Sequence, residues 1–158
     1  ILDCAPGYNL LTRSGIAASN FYLLPARPEP LSLVGIQLLE RRVMKLKESH
    51  NQKGSLDLQL LGIVFVLSGN RLISRYYRQV IQRVKEDFST NQIFRTHIPM
   101  DVNVAKAVDN FRPVVVASPN SVGSKAFAKL TQEFLSKLNT QKSLYDDEKS
   151  TLKLANLD

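Results

Sequence analysis

The residue best suited to metal and phosphate chemistry is Asp3, which follows the apolar pair Ile1-Leu2 and precedes the turn residues Pro6 and Gly7. A carboxylate at the end of a buried strand can face Mg²⁺, while a Pro-Gly turn beside it can respond to a bound phosphate. The same spacing also suits an aspartate that caps the next turn or helix and binds no metal. The residues alone leave both interpretations open.

Three further segments lie just past an apolar run. They are residues 25–30, the loop from Ser68 to Arg71, and the loop from Pro99 to Asp101. In α/β proteins, ligands bind at such positions because the carboxyl ends of parallel strands share one edge of the sheet. We therefore expect a ligand site among these loops and the segment around Asp3.

A row of basic side chains marks one side of a predicted helix. Arg71, Arg75, Arg78 and Lys85 recur at steps of three, four and seven residues, opposite the apolar positions of the same segment. Such a row can follow the phosphates of nucleic acid, with an affinity that falls as the salt concentration rises. A helix face that meets only solvent has the same appearance, so the row does not by itself establish DNA binding.

The apolar pattern predicts the elements that would hold these residues. It indicates an α/β domain, with a mainly parallel sheet flanked by helices, because strand-like and helical segments alternate along the chain. Apolar runs predict strands, and apolar residues spaced by three and four predict amphipathic helices. The predicted strands are 21–24, 58–67 and 93–98; the predicted helices are 31–48, 74–88 and 121–138, with shorter ones at 11–19 and 102–108.

Composition narrows the class of protein. The 158 residues carry 21 Lys+Arg against 14 Asp+Glu, and the net charge of +7 favours an anionic partner such as a nucleotide, nucleic acid or acidic surface. The single cysteine, Cys4, excludes an internal disulfide and a cysteine zinc site. We expect it to be a compact buried residue. His50 and His97 lie too far apart in sequence to suggest a metal cluster.

The two ends of the chain carry their own signals. The sequence opens on Ile1 rather than Met, already within an apolar pair, which predicts a piece of a longer protein. We expect residues 1–138 to form one domain and residues 139–158 to form a polar tail, as a frayed helix or docking arm. No apolar run reaches the roughly 18–20 residues that cross a bilayer, so we expect a cytoplasmic protein without a membrane partner.

The order of these segments resembles the ParA/Soj-type chromosome and plasmid partition ATPases, P-loop NTPases whose relatives include the MinD-type division ATPases. Residues 1–19 look like the family's second nucleotide motif, an acid followed by a Pro-containing switch and an Ala-rich helix. Residues 21–43 resemble its Pro-Glu turn and Leu-x-Gly-hydrophobic helix, and residues 93–135 its closing stretch from the Ile-Pro turn to the last helix. The resemblance covers residues 1–138.

The resemblance implies roles for the matching residues. Asp3 would face Mg²⁺ through water, with Pro6 and Gly7 in the switch that senses the terminal phosphate. Two loops would enclose the nucleotide base, and their residues are Ser68, Asn70, Arg71, Pro99, Met100 and Asp101. The basic row would contribute to non-specific DNA binding through Arg71, Arg75, Arg78 and Lys85.

The resemblance also implies an ATPase that binds ATP or ADP with Mg²⁺, forms a homodimer when ATP is bound, and associates with DNA in the nucleoid. A ParB-like or cargo-adaptor protein would time its release. The family's phosphate-binding loop would precede Ile1, since no Gly-x-x-x-x-Gly-Lys-Ser/Thr occurs in the chain. We therefore expect the isolated chain not to hydrolyse ATP. The alternative is a truncated, catalytically inert module that binds DNA or a partner protein. The missing loop favours it, as do Met100 and Asn103, which stand where the family commonly has arginines, whereas Asp3 and the intact base-side turn favour the ATPase.

Overall fold

The computed structural model describes residues 1–5, 7–50, 56–68 and 74–155, with their side chains apart from those of 67–68, 74–77, 90 and 144–155. Pro6, Asn70 and Arg71 therefore lie outside the described residues, as do the side chains of Ser68 and Arg75. The chain divides into two compact units, Ile1–Phe94 and Arg95–Asp158.

The elements alternate between helix and strand through most of the chain. In order they are α1 (Leu10–Ala17), β1 (Phe21–Ala26), α2 (Pro30–His50), β2 (Gln59–Ser68), α3 (Ser74–Asp87), a 3-10 turn (Thr90–Gln92), β3 (Ile98–Pro99), α4 (Val102–Asp109), α5 (Val114–Ala117) and α6 (Val122–Ala155).

Parallel pairing holds the sheet of the first unit together. β1 and β2 pair along the whole of β1, and Ile93 adds an isolated parallel bridge beside Ile63. Because parallel strands need a crossover connection, α2 lies between them in sequence. The predicted α/β class, with a parallel sheet and flanking helices, is confirmed.

The helices of the first unit bury their apolar stripes in two clusters. The first cluster combines side chains from both strands with α2 and α3, and it contains Leu24, Ala26, Ile36, Ile63, Phe65, Val84 and Ile93. The second joins α1 to the carboxyl-terminal half of α2, and it contains Ile16, Val43, Leu46 and Leu58. The three- and four-residue spacings that predicted these helices are therefore the spacings of their buried faces.

Gly62 marks the place where the register between β1 and β2 shifts. β1 residue Leu23 pairs with Gly62, whereas the preceding Tyr22 pairs with Leu60. A Cβ at Gly62 would lie 2.7 Å from Cε2 of the fully buried Phe94 ring. The missing side chain lets this ring pack directly on the backbone of β2.

The second unit begins with a segment that was predicted to be a strand over 93–98. That prediction is wrong for residues 95–97, since β3 contains only Ile98 and Pro99. The Glu133 carboxylate, on α6, accepts the N–H groups of Arg95 at 2.6 Å and Thr96 at 2.9 Å. These donors are therefore satisfied by a side chain instead of a neighbouring strand.

The last helix is longer than predicted. α6 runs without a break from Val122 to Ala155, so most of the segment 139–158 is helical. The division into a domain at 1–138 and a tail at 139–158 remains a prediction. The single-turn helix α5 was not predicted.

Candidate functional site

Asp3 lies in an exposed segment at the start of the first unit. Residues 1–5 have no regular secondary structure and are all exposed, so the apolar pair Ile1-Leu2 before Asp3 is not a buried strand in the described chain. A strand needs backbone partners from a neighbour, and none of the described residues supplies them. The Asp3 carboxylate is open to solvent and has no hydrogen-bond or ion-pair partner in the described part of the chain.

The turn after Asp3 contains a glycine in a backbone conformation that favours glycine. Gly7 has φ of +115°, a backbone region that side-chain-bearing residues rarely enter, and a Cβ there would meet no atom within 4 Å. The backbone here is thus unobstructed. Pro6, the other predicted switch residue, lies outside the described residues.

The helix α1 follows this segment and contacts it. Asn9 caps the helix, because its side-chain oxygen accepts the N–H of Thr12 at 3.0 Å. Cys4, predicted to be buried, is exposed instead. Its Sγ lies 3.3 Å from where a Cβ at Gly15 would be, so this glycine lets the segment that carries Asp3 lie against α1.

The predicted base-side residues belong to different units. Ser68 ends β2 in the first unit, and Pro99 ends β3 in the second. Met100 is 66% exposed, so its side chain is available to a ligand. A common crevice for these residues and Asp3 remains a prediction.

Asp101 has a structural role that the sequence did not suggest. Its Oδ1 accepts the N–H of Asn103 at 2.8 Å, which caps α4. Its Oδ2 accepts the N–H of Gly123 at 2.7 Å, at the start of α6. A Cβ at Gly123 would lie 2.5 Å from Val104 Cγ2 and 3.0 Å from this carboxylate oxygen, so only a glycine permits the approach. One carboxylate therefore joins the amino ends of two helices.

This arrangement also sets the charge state of Asp101. The N–H groups of Gly123 and Asn103 stabilise the carboxylate and lower its pKa to about 2. Both oxygens already have donors, so the predicted contact between this side chain and a nucleotide base would have to share them. Because the Asp101 side chain is used in the two helix caps, the backbone of the Pro99–Asp101 loop is the part that remains available to a ligand.

The described part of the basic row lies on an exposed helix face. Arg78 and Lys85 are exposed on α3, two turns apart, with the exposed Gln82 between them. Val80 and Val84 bury the opposite face. The predicted separation of basic and apolar faces is therefore present on α3 for these residues, while its function stays a prediction.

Glu133 is a residue that the sequence did not single out. Burial alone would raise the pKa of its carboxyl group, but the hydrogen bonds from Arg95 and Thr96 and the nearby Lys137 outweigh burial and lower it. The partners lie 37 and 38 positions away in sequence, so no local pattern could have indicated them.

The described residues limit what metal chemistry is possible. Within the ranges that the structure covers, no group of three or more His, Cys, Asp or Glu side chains could hold a metal ion. A lone exposed carboxylate such as Asp3 does fit Mg²⁺ that takes its other ligands from phosphates and water.

In the part of the chain that the structure describes, no helix is long and apolar enough to span a membrane.

Comparison with known proteins supports the predicted resemblance. The family model described as "AAA domain" matches residues 1–56. The chain is 26% identical to the chromosome-partitioning ATPase Soj of Treponema pallidum, over 87% of this chain and 51% of that protein. It is 30% identical to a virulence plasmid ParA family protein of Chlamydia psittaci, over 93% of this chain and 52% of that protein.

A solved structure gives the same result. The cell division ATPase MinD of Pyrococcus furiosus matches with a TM-score of 0.58 and 26% identity, over 86% of this chain and 50% of that one. The chain thus spans about half the length of the curated relatives it matches.

Proposed function

This chain is a relative of the ParA/MinD-like partition ATPases, and we propose that it forms the carboxyl-terminal part of the nucleotide-binding domain of such an ATPase. In this proposal ATP binding joins two copies, the dimer associates with non-specific DNA, and hydrolysis resets it. A ParB-like or cargo-adaptor protein would stimulate the reset. The protein would work in the cytoplasm, on the nucleoid.

The exposed carboxylate of Asp3 carries the proposal. It is free of partners in the described part of the chain, and Gly7, four residues later, has a positive φ and open space around it. If Asp3 were a helix or turn cap, its carboxylate would accept a backbone N–H, as the carboxylate of Asp101 does. The Asp3 carboxylate is instead available to accept hydrogen bonds from the water molecules that would surround Mg²⁺.

Each matching segment would then have one task. Asp3 would hold Mg²⁺ through water, and the metal would neutralise phosphate charge when bound. The Gly7 backbone would follow the terminal phosphate. The loops at Ser68 and Pro99 would enclose the base, with Asp101 fixing the second loop through its two helix caps.

DNA association is assigned to the basic face of α3. Arg78 and Lys85 are exposed on α3, on a different face from Val84, which is buried in the first apolar cluster. Because the helix is packed against the core, its exposed cations keep fixed positions and can contact successive phosphates of a nucleic-acid backbone. The net charge of +7 adds a general attraction.

Retention on duplex DNA tests this assignment. We expect the double change Arg78→Ala and Lys85→Ala to weaken binding at low salt and to reduce the slope of log affinity against log salt by about 1.8, since each phosphate contact contributes about 0.9. The matched control is Arg41→Ala with Lys45→Ala, which removes the same charge from exposed positions of α2.

The two pairs of variants distinguish a general attraction between the basic protein and DNA from binding through the α3 face. If the α2 pair weakens binding as much as the α3 pair, the attraction is general and α3 is not the DNA-binding face. If neither pair changes retention or its salt slope, the DNA-binding part of the proposal is wrong.

A further inference from the structure

The helix α6 holds the chain segment before α4 at two separate points. One oxygen of the Glu133 carboxylate accepts the N–H of Arg95 at 2.6 Å, and the other accepts the N–H of Thr96 at 2.9 Å. At the start of the same helix, the N–H of Gly123 donates to the Asp101 carboxylate at 2.7 Å. The segment from Arg95 to Asp101 is therefore joined to one helix at both of its ends.

Residues 95–101, which we call the doubly held segment, have little slack between these two points. From Thr96 to Asp101 the chain advances by five residues, which extend to at most about 17 Å. Gly123 and Glu133 lie ten residues apart on α6, and ten residues of helix are about 15 Å long. The two lengths agree within the reach of a side chain. A shift of the segment along α6 therefore requires that one of its two ends be released.

The backbone between the two ends has the shape that this comparison requires. It includes the strand β3, which contacts α6, and it reaches Asp101 in an extended conformation with φ of −142° and ψ of 122°. An extended chain cannot lengthen further to absorb a movement of either end. The position of the loop from Pro99 to Asp101 is therefore set by α6.

The hydrogen bonds at Glu133 are of the strong kind. Its carboxyl group has a lowered pKa, so it is ionised at neutral pH, and bonds to an ionised acceptor are stronger than bonds between neutral groups. Thr96 is 5% exposed, so water competes little for the bond that it makes. Loss of the carboxylate would leave the buried N–H of Thr96 without its acceptor and would release this end of the doubly held segment.

We propose that Glu133 is a positioning residue for the nucleotide base, because it fixes where the backbone of Pro99 and Met100 lies. This inference rests on the proposed function, in which the loop from Pro99 to Asp101 encloses the base. The Asp101 side chain is used in two helix caps, so the loop offers its backbone polar groups to the base. Such groups bind a base well only when the surrounding structure holds them in place. A segment held at one end alone would order its loop at the expense of affinity.

Kinetic measurements on the full-length ATPase test this role. The three constants are kcat and KM for Mg·ATP and the inhibition constant of Mg·tripolyphosphate, which has the phosphates but no base. We expect Glu133→Ala to raise KM about tenfold, with kcat within about twofold and unchanged inhibition by tripolyphosphate. Glu133→Gln keeps one acceptor oxygen, so its KM should rise only about threefold. The matched control is Gln132→Ala, at an exposed neighbouring position on α6, which should leave all three constants unchanged.

The outcomes separate this role from the proposed function. If the wild type hydrolyses ATP and KM is unchanged in Glu133→Ala, the positioning role alone is overturned. An equal loss of inhibition by tripolyphosphate would also refute it, because a general disturbance of the fold weakens the phosphate site as well. If circular dichroism shows that Glu133→Ala does not fold, Glu133→Gln decides by the same criteria. A wild type that does not hydrolyse ATP would overturn the proposed function, and the role of Glu133 with it.

Discussion

Phe111, in the turn between α4 and α5, has a φ of 50° and is 96% exposed. Replacing it by glycine should make the chain more stable, because glycine adopts this backbone conformation without strain and almost no packing is lost. The left-handed region costs an L-residue roughly 1–2 kcal/mol. Glycine in turn gains unfolded-state entropy that offsets about 0.4–1 kcal/mol of this. Because Phe111 is almost fully exposed, the loss of burial contributes little. The net gain in the free energy of unfolding is about 1 kcal/mol.

Urea denaturation measures this change. A gain of that size should raise the midpoint by about 0.3–1 M without changing the slope, and it should raise Tm by about 2–4 °C for a chain of this length. Phe111→Ala is the matched control, since it removes the ring but keeps a β-carbon at positive φ. We expect its stability to stay within about 0.5 kcal/mol of the wild type.

The comparison of these two variants decides the point. If glycine and alanine give the same stability, the backbone at Phe111 is not strained. If glycine lowers the stability, the ring has packing that the structure does not show. Either result would refute the reasoning.

Three other predictions rest on separate features. Gly62→Ala should lower the free energy of unfolding by about 1–3 kcal/mol through its clash with Phe94, while Gly35→Ala, with open space on α2, should not; urea midpoints compare them, and equal values would contradict the packing described. The stability advantage of the wild type over Asp101→Asn should persist above pH 3.8 and fade as the pH drops toward about 2, because the hydrogen bonds that lower the pKa stabilise only the charged carboxylate. A difference that does not depend on pH in acid denaturation would argue against the two helix caps of Asp101. Calorimetric titration of the chain with Mg·ATP should show no affinity near or below about 1 μM, and tight binding would contradict the need for a separate phosphate-binding loop.

The sequence predicted elements whose signal is local. The buried spacings of α2 and α3 are visible in the chain itself, and so is the apolar run of β2. The strand predicted at 93–98 is interrupted at residues 95–97, because Glu133 accepts the N–H groups of Arg95 and Thr96 from 38 and 37 positions away. Local patterns contain no information on such a partner.

The candidate site shows the same division. Asp3 and Gly7 were chosen as site residues from their residue types, and the structure adds that Asp3 is exposed and that Gly7 has open space around it, while their roles stay predictions. The role of Asp101 was not predictable, since its second helix cap comes from Gly123, 22 residues later. Phe111 escaped notice because a Phe in a polar turn signals nothing until its φ and exposure are known.

The central claim is that Asp3 is the metal-facing acid of a divided nucleotide site. ATP hydrolysis by the full-length ATPase to which we assign this chain tests it most directly, with Asp3→Asn compared against Asp109→Asn, an exposed aspartate at the end of α4. We predict Mg²⁺-dependent hydrolysis that falls by at least about a hundredfold in Asp3→Asn and is unchanged in Asp109→Asn. Hydrolysis at the wild-type rate in Asp3→Asn would contradict the claim.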